Sequence, residues 1–407
     1  MYTRDNLSSL LDLADVTKYA GLGDSKVLLR ACLNVAVDKT GNITDRTRLD
    51  EAYPTIKYLA ANSQKLIITA HMGRPTIARE PNFSLRKVYE IINAQLQTDL
   101  GLDCQFAENI ADAANSTAKV VVLENIRFFV GEESSEKAEQ DSFVKELSSL
   151  ADIYVNDAFP DYREAVSTYY IARKLKPFIG PNLAKEVRAF AKLSSPSKPY
   201  VAILGGAKLS EKLDTLLELL KSADKVLIGG AMAYTILKAQ GNAIGNSLHE
   251  DEKIAVAQRM LVDNLDKLVL PVDHLVAESF DQAVSDNAVY TDSVQIPAGT
   301  IAIDIGPKTI EKFVAEIAGA STLLVNGPMG VFEWEKSLAG TKQTYDAVVA
   351  NTNAYKIIGG GDSISAMNKL GIANKFNHIS TGGGSMLAFL AKDKFPIVDV
   401  ILDHYSV

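Results

Sequence analysis

The chain has few of the residues on which covalent or metal-based scaffolds depend. It contains two cysteines, Cys32 and Cys104, and five scattered histidines. Two cysteines are too few for a disulfide framework, and this set of cysteines and histidines does not favour a structural zinc site. Such low cysteine usage is typical of proteins from a reducing compartment, so we expect a cytoplasmic location.

Long apolar runs and an excess of positive charge are also missing. No apolar stretch approaches the roughly 20 residues of a membrane span, and the N-terminus lacks the features of a secretory signal. The net charge of −8 argues against nonspecific nucleic-acid binding. We therefore expect small-molecule ligands, with neither a nucleic acid nor a membrane as partner.

Several common catalytic motifs are absent as well. The Gly-Lys pair of a P-loop occurs nowhere. Gly21 and Gly23 precede the first predicted strand and lack the third glycine of a dinucleotide fingerprint. There is no G-x-S-x-G elbow, and His249-Glu250 has no second histidine to complete a zinc motif. These absences leave the glycine clusters as the main evidence of function.

Five short apolar runs in the second half end in glycines. The clusters are Gly205-Gly206, Gly229-Gly230, Gly327 with Gly330, Gly359 to Gly361, and Gly382 to Gly384. Glycine allows a backbone to approach a ligand, and a helix that follows directs free N–H groups at an anion. Loops of this kind gather at the carboxyl edge of a parallel sheet. Five on one edge indicate a large phosphorylated ligand such as a nucleotide.

The alternation of strand and helix patterns predicts the fold class. Strand-like runs at 26–30, 65–69, 119–123 and 153–155 are separated by helical patterns, as at 48–62 and 85–100. We predict an α/β fold of two doubly wound parallel-sheet (Rossmann-like) domains joined by a hinge helix. The predicted boundaries are 1–180, 181–195 for the hinge helix, 196–391, and a tail at 392–407.

Arginine is concentrated in the first half. Ten of the twelve arginines precede residue 180, whereas the second half relies on lysine. Because arginine binds carboxylates and phosphates through a planar fork, this split favours a small anionic substrate in the first half and a nucleotide in the second. A chance bias of surface charge is the alternative.

Both halves of the chain carry short motifs in a fixed order. The second half carries AILGGAKLSEK at 202–212, DIGPKT at 304–309, NGPMGVFE at 326–333, GGGDS at 359–363 and STGGG at 380–384, and the first half carries ITDRTR at 43–48, HMGRP at 71–75, LENIRF at 123–128 and NDAF at 156–159. Each motif alone is weak, but their order is highly specific. Taken together, they resemble the phosphoglycerate kinase family from about residue 26 to about residue 391.

The resemblance implies an activity. Members of the family transfer a phosphoryl group between 1,3-bisphosphoglycerate and ADP, giving 3-phosphoglycerate and ATP, with Mg²⁺, in glycolysis and gluconeogenesis. It implies that the first domain binds phosphoglycerate, that the second binds Mg-nucleotide, that the domains close about a hinge, and that the tail returns to the first domain. Members are usually monomers, so we expect a monomer.

The resemblance also implies roles for residues of the first half. Arg48 matches the catalytic arginine that stabilises the charge on the phosphoryl group during transfer. An exposed helical ion pair is the alternative. The residues that match the phosphoglycerate site are Cys32, Asn34, Arg48, His71, Arg74, Arg127 and Arg163. Solvated loop charges are the alternative for His71, Arg74, Arg127 and Arg163.

In the second half, Lys208 and Lys212 are four residues apart, so we predict that they share one face of a helix after Gly206 and bind phosphates. Asp362 matches the Mg²⁺ carboxylate, with a helix N-cap as the alternative. Glu333 matches the acidic residue that binds the ribose, and Asn326 matches a contact on the phosphate side of the nucleotide. The predicted nucleotide set is Gly206, Lys212, Gly230, Asn326, Pro328, Glu333, Gly360, Gly361, Asp362 and Ser363, and the predicted catalytic set is Arg48, Lys208, Gly361 and Gly384.

The chain departs from the family pattern in the acceptor half. Cys32 stands where the family has an aspartate that touches the glycerate hydroxyl, and the segment 160–167 lacks two histidines. Cys32 is interpreted as a buried filler or as a reactive thiol near cations. Two alternatives to phosphoglycerate kinase activity stay open: a kinase for another phosphorylated carboxylate, and a non-catalytic nucleotide-binding relative.

Overall fold

The protein folds as two compact units. The computed structural model describes residues 4–38, 41–75, 79–281, 287–391 and 395–406. One unit consists of Met1–Ala191 with Lys394–Val407, and the other of Lys192–Asp393. Residues 392–394, where the predicted tail begins, lie outside the described residues. No described helix is both long enough and apolar enough to cross a membrane.

The first unit is built on a parallel sheet of short, almost fully buried strands rich in Val, Ile and Leu. The strands of this sheet are β1 (Lys26–Arg30), β4 (Lys65–Thr69), β5 (Cys104–Ala107), β6 (Val120–Leu123), β7 (Ile153–Asn156) and β8 (Lys176–Ile179). Two further strands of the unit, β2 (Ala36–Val37) and β3 (Ile43–Asp45), lie outside it. The sheet order is β5-β6-β4-β1-β7-β8, and β2 pairs antiparallel with β3. The chain moves outward in one direction from β1 and then resumes beside it with β7. This reversal makes the carboxyl ends of β1 and β7 a topological switch point, where open α/β sheets bind ligands.

Helices alternate with these strands and bury their apolar stripes. They are α1 (Arg4–Ala14), α2 (Thr47–Asn62), α3 (Arg86–Leu100), α4 (Ile110–Asn115), α5 (Lys137–Ser148) and α6 (Pro181–Ser194). In α2, for example, Leu49, Ile56 and Leu59 are fully buried in the core of the first unit. The division between the units falls within α6.

The second unit has the classic doubly wound strand order. Its strands are β9 (Tyr200–Leu204), β10 (Lys225–Ile228), β11 (Leu268–Val269), β12 (His274–Ala277), β13 (Val289–Tyr290), β14 (Ile301–Ile305), β15 (Thr322–Asn326), β16 (Tyr355–Gly359) and β17 (His378–Ser380). The parallel sheet runs β11-β10-β9-β15-β16-β17, while β12 pairs antiparallel with β13 and β14. The switch point lies between β9 and β15. The predicted α/β class with parallel sheets is confirmed.

The remaining helices follow the strands of the second unit, except the last. They are α7 (Leu213–Ser222), α8 (Met232–Ala239), α9 (Ile254–Asn264), α10 (Pro307–Ala318), α11 (Ala339–Ala350), α12 (Gly361–Lys369), α13 (Gly383–Ala391) and α14 (Pro396–Leu402). α14 packs on α1 and β8 of the first unit and buries Ile397, Val398, Ile401 and Leu402 completely. The hydroxyl of Tyr405 donates to the carbonyl of Pro177 at 2.7 Å, which fixes the end of the chain there.

Glycine lets the loops after β9 and β15 pack directly against each other. A Cβ on Gly205 would lie 1.9 Å from the carbonyl oxygen of Pro328, and one on Gly327, whose φ is +117°, would lie 2.0 Å from that of Gly205. The amide of Gly205 donates to the carbonyl of Asn326 at 3.0 Å. These glycines therefore serve loop–loop packing at the switch point, in addition to any approach of a ligand.

Candidate active site

A cavity of about 480 Å³ opens at the carboxyl edge of the second sheet. Five residues of the predicted nucleotide set line it: Gly206, Gly230, Pro328, Glu333 and Asp362. They come from loops after β9, β10, β15 and β16. The structure thus brings together residues that are more than 150 positions apart, because each follows a strand that ends at the same edge.

One wall of the cavity is apolar. It includes Leu248, Phe280, Ile303 and Phe332. Phe280 is 70% exposed and lies against Trp334, with ring centroids 4.9 Å apart. A flat heteroaromatic ring would cover such a surface favourably. Sequence reasoning missed this wall, because single apolar residues in loops carry no distinctive pattern.

Lys212 lies behind the glycine loop, and the predicted helical context for it is wrong. The helix begins only at Leu213, so Lys208 and Lys212 occupy the preceding loop and do not share a helical face. The loop that contains Gly205 and Gly206 packs closely against Gly327. The chain therefore continues through turns, and the helix begins further along, at Leu213. Lys208 is exposed and lies 4.0 Å from Glu211, whereas Lys212 is half-buried.

The ammonium group of Lys212 ties the two central loops together. It donates to the carbonyl of Gly205, to the carbonyl of Asn326 at 2.8 Å and to the Oδ1 of Asn326 at 2.6 Å. Burial lowers the pKa of Lys212 to about 8, while the negative charges of Asp362 and Glu211 oppose that shift. A half-buried cation whose hydrogen-bond partners are all neutral is well suited to an incoming anion.

Asn326 and Ser363 order the same loops. Asn326 donates from Nδ2 to the carbonyl of Gly359 at 2.8 Å, and the hydroxyl of Ser363 accepts from the amide of Gly327 at 2.6 Å. The side chains of these two predicted nucleotide-binding residues are therefore hydrogen-bonded to the protein backbone. Their positions next to the cavity depend on the packing of β15 beside β16.

The helix N-terminus after β16 presents Gly360, Gly361 and Asp362. Gly360 is the N-cap residue with a φ of +98°, and Asp362 lies in the first turn. The alternative interpretation of Asp362 as the N-cap is therefore wrong. Its carboxylate forms no hydrogen bond or ion pair with the described residues, although it lines the cavity. Gly384 lies in the first turn of α13, after β17.

In the first unit, Arg48 lies near the end of β1. Its guanidinium donates to the carbonyl of Asn34 at 3.2 Å and forms no ion pair within the described part of the chain. The exposed helical ion pair considered for it belongs instead to Arg46, which pairs with Asp50 at 3.1 Å. The Oδ1 of Asn34 accepts from the amide of Gly73 at 2.9 Å and so links the loops after β1 and β4.

The other predicted acceptor residues divide into two groups. His71 is buried beside β1, and Arg127 donates to the carbonyl of Gly73 at 2.7 Å while pairing with Glu133. Arg74 and Arg163 are exposed, and their side chains form no hydrogen bond or ion pair with the described residues. The structure therefore brings His71 and Arg127 to the loop of Gly73, whereas the two exposed arginines have solvent-facing side chains.

Cys32 is a buried thiol. It is 8% exposed, and burial raises its pKa to about 12, with the charge of Asp161 acting in the same direction against Arg48 and Arg30. A thiol with so high a pKa is protonated at neutral pH and is a poor nucleophile. The geometry favours the interpretation of Cys32 as a buried filler.

Arg30 and Asp161 form a buried ion pair, and neither residue belongs to the site residues predicted from the sequence. The Nη1 of Arg30 lies 2.9 Å from the Oδ2 of Asp161, and both side chains are less than 10% exposed. Arg30 also donates from Nε to the hydroxyl of Ser167 at 2.9 Å. An arginine at the end of an otherwise apolar strand was the available signal, because burial of such a charge requires a partner.

Glu132 extends this network behind Arg30. Its carboxylate accepts from the amide of Ser167 at 2.9 Å and from the hydroxyl of Ser167 at 2.6 Å. Burial raises the pKa of Glu132 to about 7, although Arg30 and the hydrogen bonds from Ser167 oppose the shift. Arg30 is therefore held from behind by a group that changes charge close to neutral pH.

A pH dependence of stability follows for Glu132. Between about pH 4.5 and pH 7 the folded chain holds a proton here that the unfolded chain has released, so this contribution to stability falls as the pH rises. In the Glu132→Gln variant that decline should disappear, a difference of up to about 1.4 kcal/mol per pH unit. Urea unfolding at several pH values measures it, and the exposed Glu136→Gln serves as control. Equal slopes in wild type and Glu132→Gln would contradict the prediction.

Comparisons with known proteins place the chain in one family. The sequence model described as "Phosphoglycerate kinase" matches residues 17–393. The chain is 41% identical over 395 residues to the phosphoglycerate kinase of Koribacter versatilis, covering 93% of this chain and 97% of that protein. It is 42% identical over 388 residues to that of Macrococcus caseolyticus, covering 94% and 97%. The solved phosphoglycerate kinase of Coxiella burnetii superimposes with a TM-score of 0.85 at 32% identity, covering 96% of this chain and 98% of that chain.

Proposed function

The chain belongs to the phosphoglycerate kinase family, and we propose that it catalyses reversible phosphoryl transfer between 1,3-bisphosphoglycerate and ADP, giving 3-phosphoglycerate and ATP. The observation that carries the proposal is the cavity at the carboxyl edge of the second sheet, which is lined by five of the predicted nucleotide residues. The half-buried cation of Lys212 lies behind the glycine loop that contributes Gly206 to this cavity.

In this proposal the second unit binds the nucleotide. Gly206, Gly230 and Pro328 supply backbone to the phosphate side, and the apolar wall with Phe280 takes the base. Glu333 receives the ribose, since its carboxylate is exposed at the rim. Lys212 neutralises phosphate charge, with Asn326, Ser363 and Lys208 in supporting contacts, and the amides of Gly360, Gly361 and Gly384 face the transferring group.

The first unit binds the acceptor in this proposal. The carboxyl edge at β1 and β7 offers Arg48, His71 and Arg127 to the phosphate and carboxylate of phosphoglycerate, and the exposed Arg74 and Arg163 would be recruited by the ligand. Asn34 orders the loop between them. Hinge-type closure about α6, a monomeric state and a cytoplasmic location stay predictions that the family resemblance motivates.

The chemistry requires charge neutralisation more than proton transfer. A carboxylate oxygen of 3-phosphoglycerate attacks the γ-phosphorus of ATP, and the bond from that phosphorus to the β-phosphate oxygen breaks, which releases ADP. The attacking carboxylate is already ionised at neutral pH, so no general base is needed. Arg48 would stabilise the negative charge on the phosphoryl group during its transfer.

Mg²⁺ fits the cavity residues. No group of three or more Asp, Glu, His or Cys side chains that could hold a metal occurs among the described residues. Mg²⁺ at nucleotide sites commonly takes one or two carboxylates together with phosphates and water. Asp362, which lines the cavity without a partner among the described residues, is suited to supply that carboxylate. The ion would neutralise phosphate charge.

A coupled assay with MgATP and 3-phosphoglycerate tests the activity. Steady turnover at millimolar substrate is the expected result, and the absence of turnover would contradict the proposed activity. Because Cys32 and the segment 160–167 depart from the family pattern, the assay should include other small phosphorylated carboxylates. A higher kcat/KM for one of these would favour the second candidate, a kinase for a related acid. Nucleotide binding without transfer to any acceptor would indicate a non-catalytic relative.

A further inference from the structure

Asp161 places a carboxylate among the cations of the acceptor edge. It follows β7 at the switch point, and its side chain is 7% exposed. Its Oδ2 lies 2.9 Å from Nη1 of Arg30 and 3.2 Å from Nδ1 of His71. Burial alone would raise the pKa of Asp161, but the charges of His71, Arg30 and Arg48 hold it below the ordinary value, so the group is ionised.

Asp161 lies close enough to Cys32 for its charge to act on the thiol. The charges of Asp161, Arg48 and Arg30 all act on the thiol of Cys32, which places the four side chains in one neighbourhood. Cys32 itself brings no charge and no strong hydrogen-bond acceptor, because a neutral thiol is a weak one. The carboxylate of this neighbourhood therefore comes from the loop after β7 rather than from the end of β1.

One oxygen of Asp161 has no hydrogen-bond partner among the described residues. Both side-chain contacts of the carboxylate fall on Oδ2, and Oδ1 accepts no hydrogen bond from the described residues. The single Nδ1 of His71 cannot serve both neighbours, since it needs a lone pair to accept from Arg30 at 3.0 Å and a proton to donate to Asp161. Arg30 thus provides the permanent anchor, and Oδ1 is left to accept from a donor.

We propose that Asp161 is a specificity-determining residue of this acceptor site and accepts a hydrogen bond from the hydroxyl of bound phosphoglycerate. The inference rests on the proposed function. The phosphate and carboxylate of that ligand only accept hydrogen bonds and are suited to the arginines, whereas its hydroxyl is the one group that donates. An ionised carboxylate among these arginines would repel either anionic end and suits the hydroxyl alone.

The test compares 3-phosphoglycerate with 3-phosphonooxypropanoate, which lacks only the hydroxyl. A hydrogen bond to a charged acceptor corresponds to roughly a tenfold or greater preference in kcat/KM for the hydroxylated acceptor in wild type. In Asp161→Asn the preference should fall to less than about threefold. In Cys32→Asp combined with Asp161→Asn, a carboxylate returns from β1 and part of the preference should return. Glu164→Gln, an exposed change in the same segment, should leave the ratio unchanged.

The outcomes separate the inference from the function on which it rests. If wild type turns over both acceptors equally well, or if Asp161→Asn keeps the wild-type ratio, the inference is wrong and the kinase activity stands. A lower KM for 3-phosphoglycerate in Asp161→Asn would mean that Asp161 competes with the ligand for the arginines, and would also overturn it. No turnover of either acceptor by wild type would overturn the proposed function itself.

Discussion

Replacing Arg48 by alanine is expected to lower kcat roughly 10²–10³-fold, a loss of about 3–4 kcal/mol that matches the removal of a transition-state contact in other enzymes. The guanidinium has one hydrogen bond, to the carbonyl of Asn34 at 3.2 Å, and no ion pair among the described residues. It therefore contributes little to the stability of the free protein. Steady-state kinetics and thermal unfolding of the same preparation measure both effects.

Arg46→Ala is the matched control for Arg48→Ala. Arg46 lies two residues away, and its ion pair with Asp50 is exposed on both sides. Exposed pairs of this kind contribute about 0.3–0.5 kcal/mol to the free energy of unfolding. Because Arg46 is not among the predicted site residues, its removal should change kcat by less than about twofold. Equal activity in the two variants would contradict the assignment of Arg48 as the catalytic arginine.

Replacing Lys212 by methionine is expected to reduce kcat/KM for ATP by roughly 10²-fold or more. Its ammonium is a half-buried cation whose hydrogen-bond partners, Gly205 and Asn326, are neutral, so bound phosphates would interact with it strongly. The change should also weaken nucleotide binding, which calorimetry with MgADP measures. A variant with wild-type nucleotide affinity and activity would contradict a phosphate-binding role.

The same variant carries a second signature in the unliganded protein. The folded pKa of Lys212 is about 8, below the ordinary value of 10.5. Between these values the unfolded chain binds more protons, so the stability of wild type relative to Lys212→Met should rise with pH. Lys221→Met is the control, because that lysine is exposed on α7 and should change neither stability nor nucleotide affinity. A flat difference between wild type and Lys212→Met would show that the lysine is not buried in solution.

Local patterns predicted much of the fold. Continuous Val, Ile and Leu runs gave β1 and β4 with the expected bounds and β6 one residue shorter. Such runs are informative because strands buried on both faces must be apolar along their length. The helix after β9 was misplaced, since its start depends on how the loop of Gly205 packs against Gly327 and Pro328.

The candidate nucleotide site was largely predictable, and the acceptor site was not. Gly206, Gly230, Pro328, Glu333 and Asp362 belong to short motifs whose order identifies them, and all five line one cavity. Arg30 and Asp161 belong to no such motif, because each is recognisable only by what it contacts. Tyr162 and Pro160 flank Asp161 in a segment whose sequence departs from the family pattern.

The sequence by itself determined the fold class, the family and the glycine-rich nucleotide half, because these depend on residues close together in the chain. The tertiary structure alone decided that Asp161 meets Arg30 and His71, that Cys32 is buried within reach of their charges, and that Lys212 spans two loops. Arg30 and Ser167, for example, are 137 residues apart and meet only because β1 pairs with β7. A buried charge takes its chemistry from such neighbours, and spacing along the chain does not encode them.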